Sequence, residues 1–174
     1  MSSTDTPDPT GERADLLEAL QAHRGFLRYT VQGLTDDQAR LTPTVSALSL
    51  GGLVKHVSAT ERAWADFVLQ GPAAFPAADE AAYAQREAEF TLLPDETLAE
   101  VLAGYDEVAR RTDDLVATLP DLDASHPLPK APWFPPDGRR SARRVFVHVV
   151  GETAQHAGHA DLIREAIDGQ KTMG

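Results

Sequence analysis

The sequence predicts an all-α fold, a single domain built as a four-helix bundle. Apolar residues recur at intervals of three and four along four long segments, which places them on one face of a helix. No segment shows the alternation of apolar and polar residues, bounded by turn residues, that is typical of a strand. Long connections follow the second and third helical segments, as some bundles allow. At 174 residues the chain can bury the core of one domain.

The N-terminal residues differ in composition from the first helix. Residues 1–10 are rich in Ser, Thr, Asp and Pro, so they lack the apolar surface that offsets ordering entropy, and we expect a disordered tail. The bundle domain is then expected over residues 11–170. Its first helix is predicted from residue 11 to residue 33. We interpret His23, on the apolar face of this helix, as a core residue with a hydrogen-bond partner.

The second helix is predicted from about Leu50 to Leu69. Ser49 is a candidate N-cap, and the Gly-Pro pair that follows the helix ends it. Residues 71–94 are rich in Ala, Pro and Glu, which indicates a surface connection with at most a short helix around residues 80–90.

The third helix is predicted to begin at Pro94, which is followed by two acidic residues, and to end at Leu119. Proline suits the first turn of a helix, and carboxylates there interact favourably with the helix dipole. Residues 121–138 hold five prolines and are predicted to form a long loop. The fourth helix is predicted from about Ser141 to Asp168, with Gly169 as its C-cap glycine.

Charge and composition exclude several classes of function. The chain has 27 acidic and 16 basic residues, a formal charge of -11, which disfavours nucleic acids and anionic membranes as partners. It has no cysteine, so disulfides, thiolate metal ligands and a thiol nucleophile of its own are excluded. There is no long apolar run and no signal-like N-terminus, so we expect a cytoplasmic protein.

A stripe of titratable side chains lies on the predicted fourth helix. His148, Glu152, His156 and His159 follow one another at spacings of four, four and three, which puts them within one helical stripe. Isoleucine and valine residues flank the stripe, so it faces inward. Buried carboxylates and imidazoles need partners, and a divalent cation would satisfy several of them together.

The second helix offers a further ligand, His56, on an otherwise apolar face. Three nitrogen and oxygen ligands leave open positions for water or substrate, which is typical of a catalytic metal site. The alternative for His56 alone is a core histidine that makes an ordinary hydrogen bond. His126, in the proline-rich loop, is given no role.

Four other residues have both a structural and a functional interpretation. Trp133 and Phe134, in the proline-rich loop, either cap the metal site and shape an acceptor pocket or pin the loop to the bundle. Asp161 and Arg164 point away from the stripe. A solvated face or an ion pair is the favoured explanation for this pair, with substrate contact as the alternative.

Two arginine pairs, residues 139–140 and 143–144, lie where the fourth helix begins and where its dipole disfavours cations. They indicate an acidic partner, either a carboxylate of this protein or one on a bound thiol. Exposed arginines that serve solubility are the alternative.

The segment from His148 to Glu165, HVVGETAQHAGHADLIRE, resembles the C-terminal helix signature of the DinB-like metalloprotein superfamily. It is most similar to the actinobacterial branch of mycothiol S-transferases. The segment from Ser49 to His56, SLGGLVKH, is similar to the second-helix motif of that superfamily. The resemblance extends from the first helix to Arg164.

The resemblance implies a DinB-like four-helix bundle and a metal held by His56, Glu152 and His156. Glu152 stands where many DinB-like proteins have histidine, a difference shared with mycothiol-dependent maleylpyruvate isomerases. A harder, more anionic site leaves zinc favoured, with nickel, manganese or iron as alternatives. His148 and His159 are then candidate catalytic groups, either as proton acceptors or as residues that orient the ligands.

The implied activity is that of a metal-dependent S-transferase, with mycothiol as thiol cosubstrate and a small electrophile as acceptor. A thiol-dependent isomerase and a metal-dependent hydrolase share these ligands and are the alternatives among enzymes. A non-catalytic metal-binding protein of the stress response is the alternative outside enzymes. A homodimer is compatible with each.

Overall fold

The computed structural model describes residues 9–75, 84 and 88–172 of the chain. Across these residues it is mostly helical, which confirms the predicted all-α class. The helices are α1 (Glu12–Thr30), α2 (Asp36–Arg40), α3 (Leu50–Gln70), α4 (Leu98–Thr118) and α5 (Ala142–Asp168), with a 3₁₀ turn at Gly71–Ala74. Strands β1 (Ser125–Pro127) and β2 (Arg139–Ser141) pair antiparallel. The expected disordered tail lies mostly outside the described residues, and so does most of the short helix expected around residues 80–90, of which residues 84 and 88–90 are described.

Hydroxyl side chains determine where α3 and α5 begin. The Ser49 hydroxyl accepts a hydrogen bond from the backbone N–H of Gly52, and the Ser141 hydroxyl accepts one from the backbone N–H of Arg144. Gly169 ends α5 in the left-handed conformation, with φ at 80°. The predicted boundaries of both helices are confirmed to within about one residue.

The predicted start of the third helix at Pro94 is wrong. The helix α4 begins at Leu98, because Thr97 and Glu100 form a capping box in which each side chain binds the backbone N–H of the other residue. The segment that contains Pro94 is instead a turn, in which the Glu96 side chain accepts a hydrogen bond from the backbone N–H of Leu93 and pairs with Lys55 on α3. A reciprocal cap therefore outweighs a proline in setting this boundary.

Two short elements depart from the predicted loops. Helix α1 ends at Thr30, before the predicted end at residue 33, and α2 follows in the predicted connection, with a capping box formed by Thr35 and Gln38. The predicted loop over residues 121–138 contains β1, which pairs with β2. His126, for which the sequence predicted no role, lies on β1. Its Nε2 is 3.2 Å from the Val68 carbonyl oxygen, and its ring is edge-on to Phe67. It therefore ties the hairpin to the end of α3.

The four long helices pack against one another around a continuous interior. Helix α1 packs on α5, and α3 packs on both α4 and α5. One apolar cluster lies towards the end of the bundle that includes Val31, Leu53 and Ile163. A second cluster lies towards the end that includes Leu20, Phe67 and Phe146. Because α3 contacts both α4 and α5, its side chains lie at the centre of the bundle.

A buried ionic group crosses the interior. The guanidinium of Arg24 on α1 contacts Glu61 on α3 at 2.5 Å and Asp113 on α4 at 2.7 Å. The side chain of Arg24 is 2 % exposed and that of Glu61 is fully buried. His23, predicted to be a core residue, is only half-buried and packs edge-on against Phe26. Arg24, rather than His23, is therefore the buried charged residue of α1.

None of the helices in the described part of the chain is long and apolar enough to cross a membrane.

Candidate metal centre and pocket

Three side chains from two helices come together on the inner side of α5. One ligand atom from each of His56, Glu152 and His156 lies within 4.8 Å of the other two. His56 comes from α3, whereas Glu152 and His156 lie one turn apart on α5. All three side chains are partly buried. The structure thus brings together the three residues predicted as ligands, and such a group could hold a metal ion.

Aromatic and polar contacts surround His56. Its ring stacks on Phe90, with ring centroids 3.8 Å apart and planes inclined by 19°. The ring of His156 stands nearly perpendicular to it, with centroids 4.9 Å apart. The Thr60 hydroxyl lies 3.4 Å from His56 Nε2, one turn further along α3. These contacts restrict the orientation of His56 towards α5.

The two glycines of the SLGGLVKH segment explain how Phe90 approaches His56. A Cβ atom on Gly52 would lie 1.8 Å from the carbonyl oxygen of Phe90, and one on Gly51 would lie 2.7 Å from the Leu92 side chain. Any side chain at Gly52 would therefore force the backbone at Phe90 to move away. The glycine pair lets the segment after residue 88 pass directly over the start of α3.

His148 lies one turn before Glu152 on α5. Its Nε2 is 3.7 Å from a Glu152 carboxylate oxygen, and its ring packs edge-on against Trp64 at a centroid distance of 4.9 Å. Burial lowers the pKa of His148, the nearby Arg140 and Arg144 lower it further, and Glu152 opposes them. His148 is therefore neutral at pH 7 and able to accept a proton.

The ligand candidate His156 is also neutral near pH 7. Burial and the electrostatic effect of His159 lower its pKa, and the negative charge of Glu152 raises it; burial has the largest effect. Its Nε2 lies 3.7 Å from the second carboxylate oxygen of Glu152. A neutral imidazole is the form that binds a metal ion, so the surroundings favour ligation without a competing proton.

His159 stands apart from the ligand group. It follows His156 by three residues and is half-buried, and its effect on the site is electrostatic, through His156. Its predicted catalytic role stays a prediction.

The donor set fits a divalent ion. Two imidazoles and one carboxylate are ligands that zinc accepts, and three protein ligands leave positions open for water or substrate. Glu152 is approached by two neutral imidazoles, so its negative charge lacks a full counter-charge within the group. A bound cation would supply that charge.

A cavity of about 1060 Å³ opens directly beside the ligand group. His56, Glu152 and His148 form its inner wall, and aromatic residues from several segments form its sides. These aromatic residues are Trp64, Phe75, Phe90, Trp133 and Phe134. The two loop aromatics, Trp133 and Phe134, thus line the pocket, and the side chain of Trp133 is largely exposed. The site has the concave, mostly apolar form typical of small-molecule binding.

The arginine pairs that precede and begin α5 have separate surroundings. Arg143 pairs with Glu12 and Asp123, which are carboxylates of this protein. Arg140 instead lies in the pocket wall with its guanidinium carbon 4.5 Å from the ring centroid of Trp64. Burial lowers the pKa of Arg140, and the positive charge of Arg144 lowers it further. The negative charge of Glu152 raises it.

Asp161 and Arg164 have structural partners. The guanidinium of Arg164 donates to Asp168, one turn along α5, and to the backbone carbonyls of Thr30 and Gln32 at the end of α1. Asp161 accepts hydrogen bonds from Thr172. Arg164 is buried and its ion pair lies within α5, so of the favoured interpretation, a solvated face or an ion pair with a neighbouring helix or subunit, only the ion pair is observed, and it is on the same helix.

Comparison with known families assigns the chain. A family model described as Mycothiol-S-transferase matches residues 15–169, which include the three ligand candidates and every described helix except the first turn of α1. The chain belongs to the mycothiol S-transferase family. The resemblance stated from the two motifs is therefore confirmed. No curated protein sequence matches the chain significantly.

Membership of the mycothiol S-transferase family places the chain among transferases and points to a thiol cosubstrate. Within this family member, sequence reasoning missed Phe90 and Arg140 as residues of the site. Phe90 lies in a segment without clear periodicity, so no pattern placed it next to His56. Arg140 was noted only as one of four arginines, and its contact with Trp64 depends on the hairpin.

Proposed function

We propose that the chain is a metal-dependent S-transferase that joins mycothiol to a small electrophile bound in the pocket. The observation that supports the proposal best is the His56, Glu152 and His156 group, whose ligand atoms lie within 4.8 Å of one another at the inner wall of a cavity of about 1060 Å³. We place this activity on a four-helix bundle of the DinB-like type, with zinc as the favoured metal.

His56, Glu152 and His156 would hold the ion. A divalent ion bound there would lower the pKa of a thiol that reaches it and would keep the thiolate available at neutral pH. The chain has no cysteine, so the reacting sulfur comes from the cosubstrate.

His148 is suited to accept the proton of the incoming thiol. It is neutral at pH 7 and faces the pocket next to Glu152. The thiolate sulfur then forms a C–S bond with the electrophilic carbon. The electron pair displaced at that carbon leaves with a leaving group or, in an addition, goes to the neighbouring carbon, which takes up a proton.

The aromatic walls position the acceptor and exclude water. Trp64 and Phe134 provide flat apolar surface on which an unsaturated or aromatic electrophile can stack, and the removal of water strengthens electrostatic interactions in the site.

The direct test is conjugate formation by purified protein supplied with zinc, mycothiol and a panel of electrophiles, followed by mass spectrometry. We expect conjugate with the wild-type protein above the spontaneous rate and none above that rate with His56→Ala. His23→Ala, which removes a half-buried histidine of α1 outside the group, is the matched control and should retain activity. If zinc-loaded wild-type protein gave no conjugate with any electrophile, the transferase proposal would be wrong. Hydrolysis of the same electrophiles without thiol would favour the hydrolase alternative.

A further inference from the structure

The pocket beside the metal group is basic, although the chain as a whole carries a formal charge of -11. Its lining includes four cationic side chains and two carboxylates. The cationic residues are Lys130, Arg139, Arg140 and Arg144, and the carboxylates are Glu89 and Glu152. Glu152 is also a ligand candidate, so a bound ion would offset its charge and leave the pocket more positive. Such local charge in an acidic protein attracts anions to one place.

Arg140 differs from the neighbouring arginines in its surroundings. Its guanidinium carbon lies 4.5 Å from the ring centroid of Trp64 and 5.4 Å from that of Phe134. Its Nη1 is buried and has no hydrogen-bond partner among the residues that the structure describes. By contrast, Arg139 donates to the hydroxyl and carbonyl of Ser125. Two aromatic rings therefore hold the guanidinium of Arg140 at the pocket wall, and one of its donors lacks an acceptor.

The contacts of Arg140 leave its guanidinium suited to one class of ligand. A guanidinium carries its N–H donors in its own plane, in a fork that matches the two oxygens of a carboxylate. The rings of Trp64 and Phe134 limit the rotation of the guanidinium, so the donors are oriented before a ligand arrives. Arg140 is only partly buried and lines the pocket, so a carboxylate bound there can accept hydrogen bonds from the donors on its pocket side.

The position of Arg140 relates it to the reacting end of the pocket. It lies in the middle of β2, two residues before α5 begins, and Arg144, His148 and Glu152 then follow on α5. These three residues are four apart, about one helical turn, and all of them line the pocket, so they form a row that leads from the start of α5, next to Arg140, to the ligand group. A reactant with its acid group on Arg140 can therefore extend along the aromatic walls towards that group.

We propose that Arg140 binds a carboxylate of one of the two reactants, which makes this pocket selective for an anionic substrate. The description of that ligand as a reactant rests on the proposed transferase function, whereas the binding of a carboxylate does not. Arg144, exposed at the pocket wall, adds positive charge along the approach.

Binding can be measured without turnover, because both tryptophans of the chain, Trp64 and Trp133, line the pocket. Zinc-loaded protein without thiol is titrated with cyclohexanecarboxylate and, separately, with cyclohexanecarboxamide while tryptophan fluorescence is recorded. We expect the carboxylate to bind at least about tenfold more tightly than the amide, since a hydrogen bond to a charged group is worth that much or more. Arg140→Met, which keeps an unbranched apolar stem, should abolish the preference, and Arg140→Lys should keep part of it.

Arg110→Met is the matched control, because Arg110 lies on the exposed surface of α4 and pairs with Glu107. It should leave the preference unchanged. Equal binding of carboxylate and amide by wild-type protein, or an unchanged preference in Arg140→Met, would overturn the proposal. The second outcome would assign the carboxylate to the metal ion or to another cation.

Paired reactants identify which partner carries the acid group. One arm compares 4-chloro-3,5-dinitrobenzoate with its amide as acceptor, and the other compares N-acetylcysteine with its amide as thiol. Arg140→Met should raise KM about tenfold to a hundredfold for the carboxylate member of one arm, with little change in kcat and no change for the amide. An unchanged KM in both arms would contradict the proposal. Absence of any transfer by wild-type protein would instead count against the transferase function, and the fluorescence titration would still decide the role of Arg140.

Discussion

The ring of His56 lies against the ring of Phe90, with centroids 3.8 Å apart and planes within 19° of parallel. This contact joins α3 to the segment that precedes α4, and it depends on the absence of a side chain at Gly52, where a Cβ atom would lie 1.8 Å from the Phe90 carbonyl oxygen. The ligand candidate His56 is therefore supported by a contact with a segment that is distant from it in sequence.

Gly52→Ala should weaken both the fold and metal binding. The new methyl group would displace the backbone at Phe90, so we expect a loss of about 1–3 kcal/mol of unfolding free energy. Zinc affinity should fall about tenfold to a hundredfold, as when partners of a ligand are removed. Urea unfolding and competition with a chromogenic chelator measure the two effects. Gly104→Ala in α4 is the control, because a Cβ atom there meets nothing within 4 Å; it should stabilise the helix by about 0.5–1 kcal/mol. Unchanged zinc affinity in Gly52→Ala would show that the Phe90 contact does not support His56.

His56→Ala should remove the metal while the helices remain. The remaining Glu152 and His156 offer two ligands from one helix, so zinc affinity should fall by at least about a hundredfold, which exceeds the effect of losing a partner of a ligand. We expect one zinc per chain in the wild-type protein by elemental analysis and a melting temperature that rises with zinc, and neither in the variant. His23→Ala should behave as wild type. Stoichiometric zinc in His56→Ala would remove His56 from the ligand set.

Glu61→Ala should strongly destabilise the protein. It leaves the buried guanidinium of Arg24 with Asp113 alone, and the loss of one partner of a buried ion pair costs about 3–5 kcal/mol. The double variant Arg24→Met with Glu61→Leu should recover most of this loss, since no fully buried charge remains unpaired; Asp113, which loses Arg24, is 28 % exposed.

The matched control for Glu61 is Glu107→Ala, which breaks an exposed ion pair with Arg110 on α4. It should change the unfolding free energy by no more than about 1 kcal/mol. Circular dichroism recorded during chemical denaturation measures the unfolding free energy of each variant. A similar effect of the two glutamate substitutions would mean that the buried group is solvated in the folded protein.

The contribution of Asp168 to stability should depend on pH. Hydrogen bonds from Arg164 and from the backbone of Gln170 lower the pKa of Asp168 below its ordinary value of 3.8. A carboxyl group with a lowered pKa in the folded state stabilises the fold above its unfolded pKa, and this stabilisation is lost as the pH falls through the folded pKa.

Asp168→Asn should therefore lower the melting temperature at pH 6 to 7, and its difference from wild type should shrink as the pH falls below about 4. Asp114→Asn, on the exposed surface of α4, is the control for a general effect of acid. A difference between wild type and Asp168→Asn that stayed constant down to pH 2 would show that the Arg164 contact adds no electrostatic stability.

Local patterns were sufficient for most helices. The spacing of apolar residues placed all four long helices, the Ser49 cap placed the start of the second and the Gly169 cap placed the end of the last, because these interactions act within a few residues of the chain. Where two local signals competed, as Pro94 and the Thr97–Glu100 capping box did, the sequence pattern favoured the wrong one. The strands were missed because three-residue strands are too short to show alternation.

For the site, the sequence by itself determined that Glu152 and His156 present their side chains together, since one helical turn separates them. The pattern of the second helix offered His56 as a candidate third ligand, and the resemblance of the two motifs selected it. Only the tertiary structure decided that His56 reaches this pair, that Phe90 stacks on it, and that Arg140 contacts Trp64 and Phe134. The physical reason is that periodicity describes one helix at a time, whereas these contacts arise from the packing of α3, α5, the hairpin and the segment before α4, which are distant along the chain.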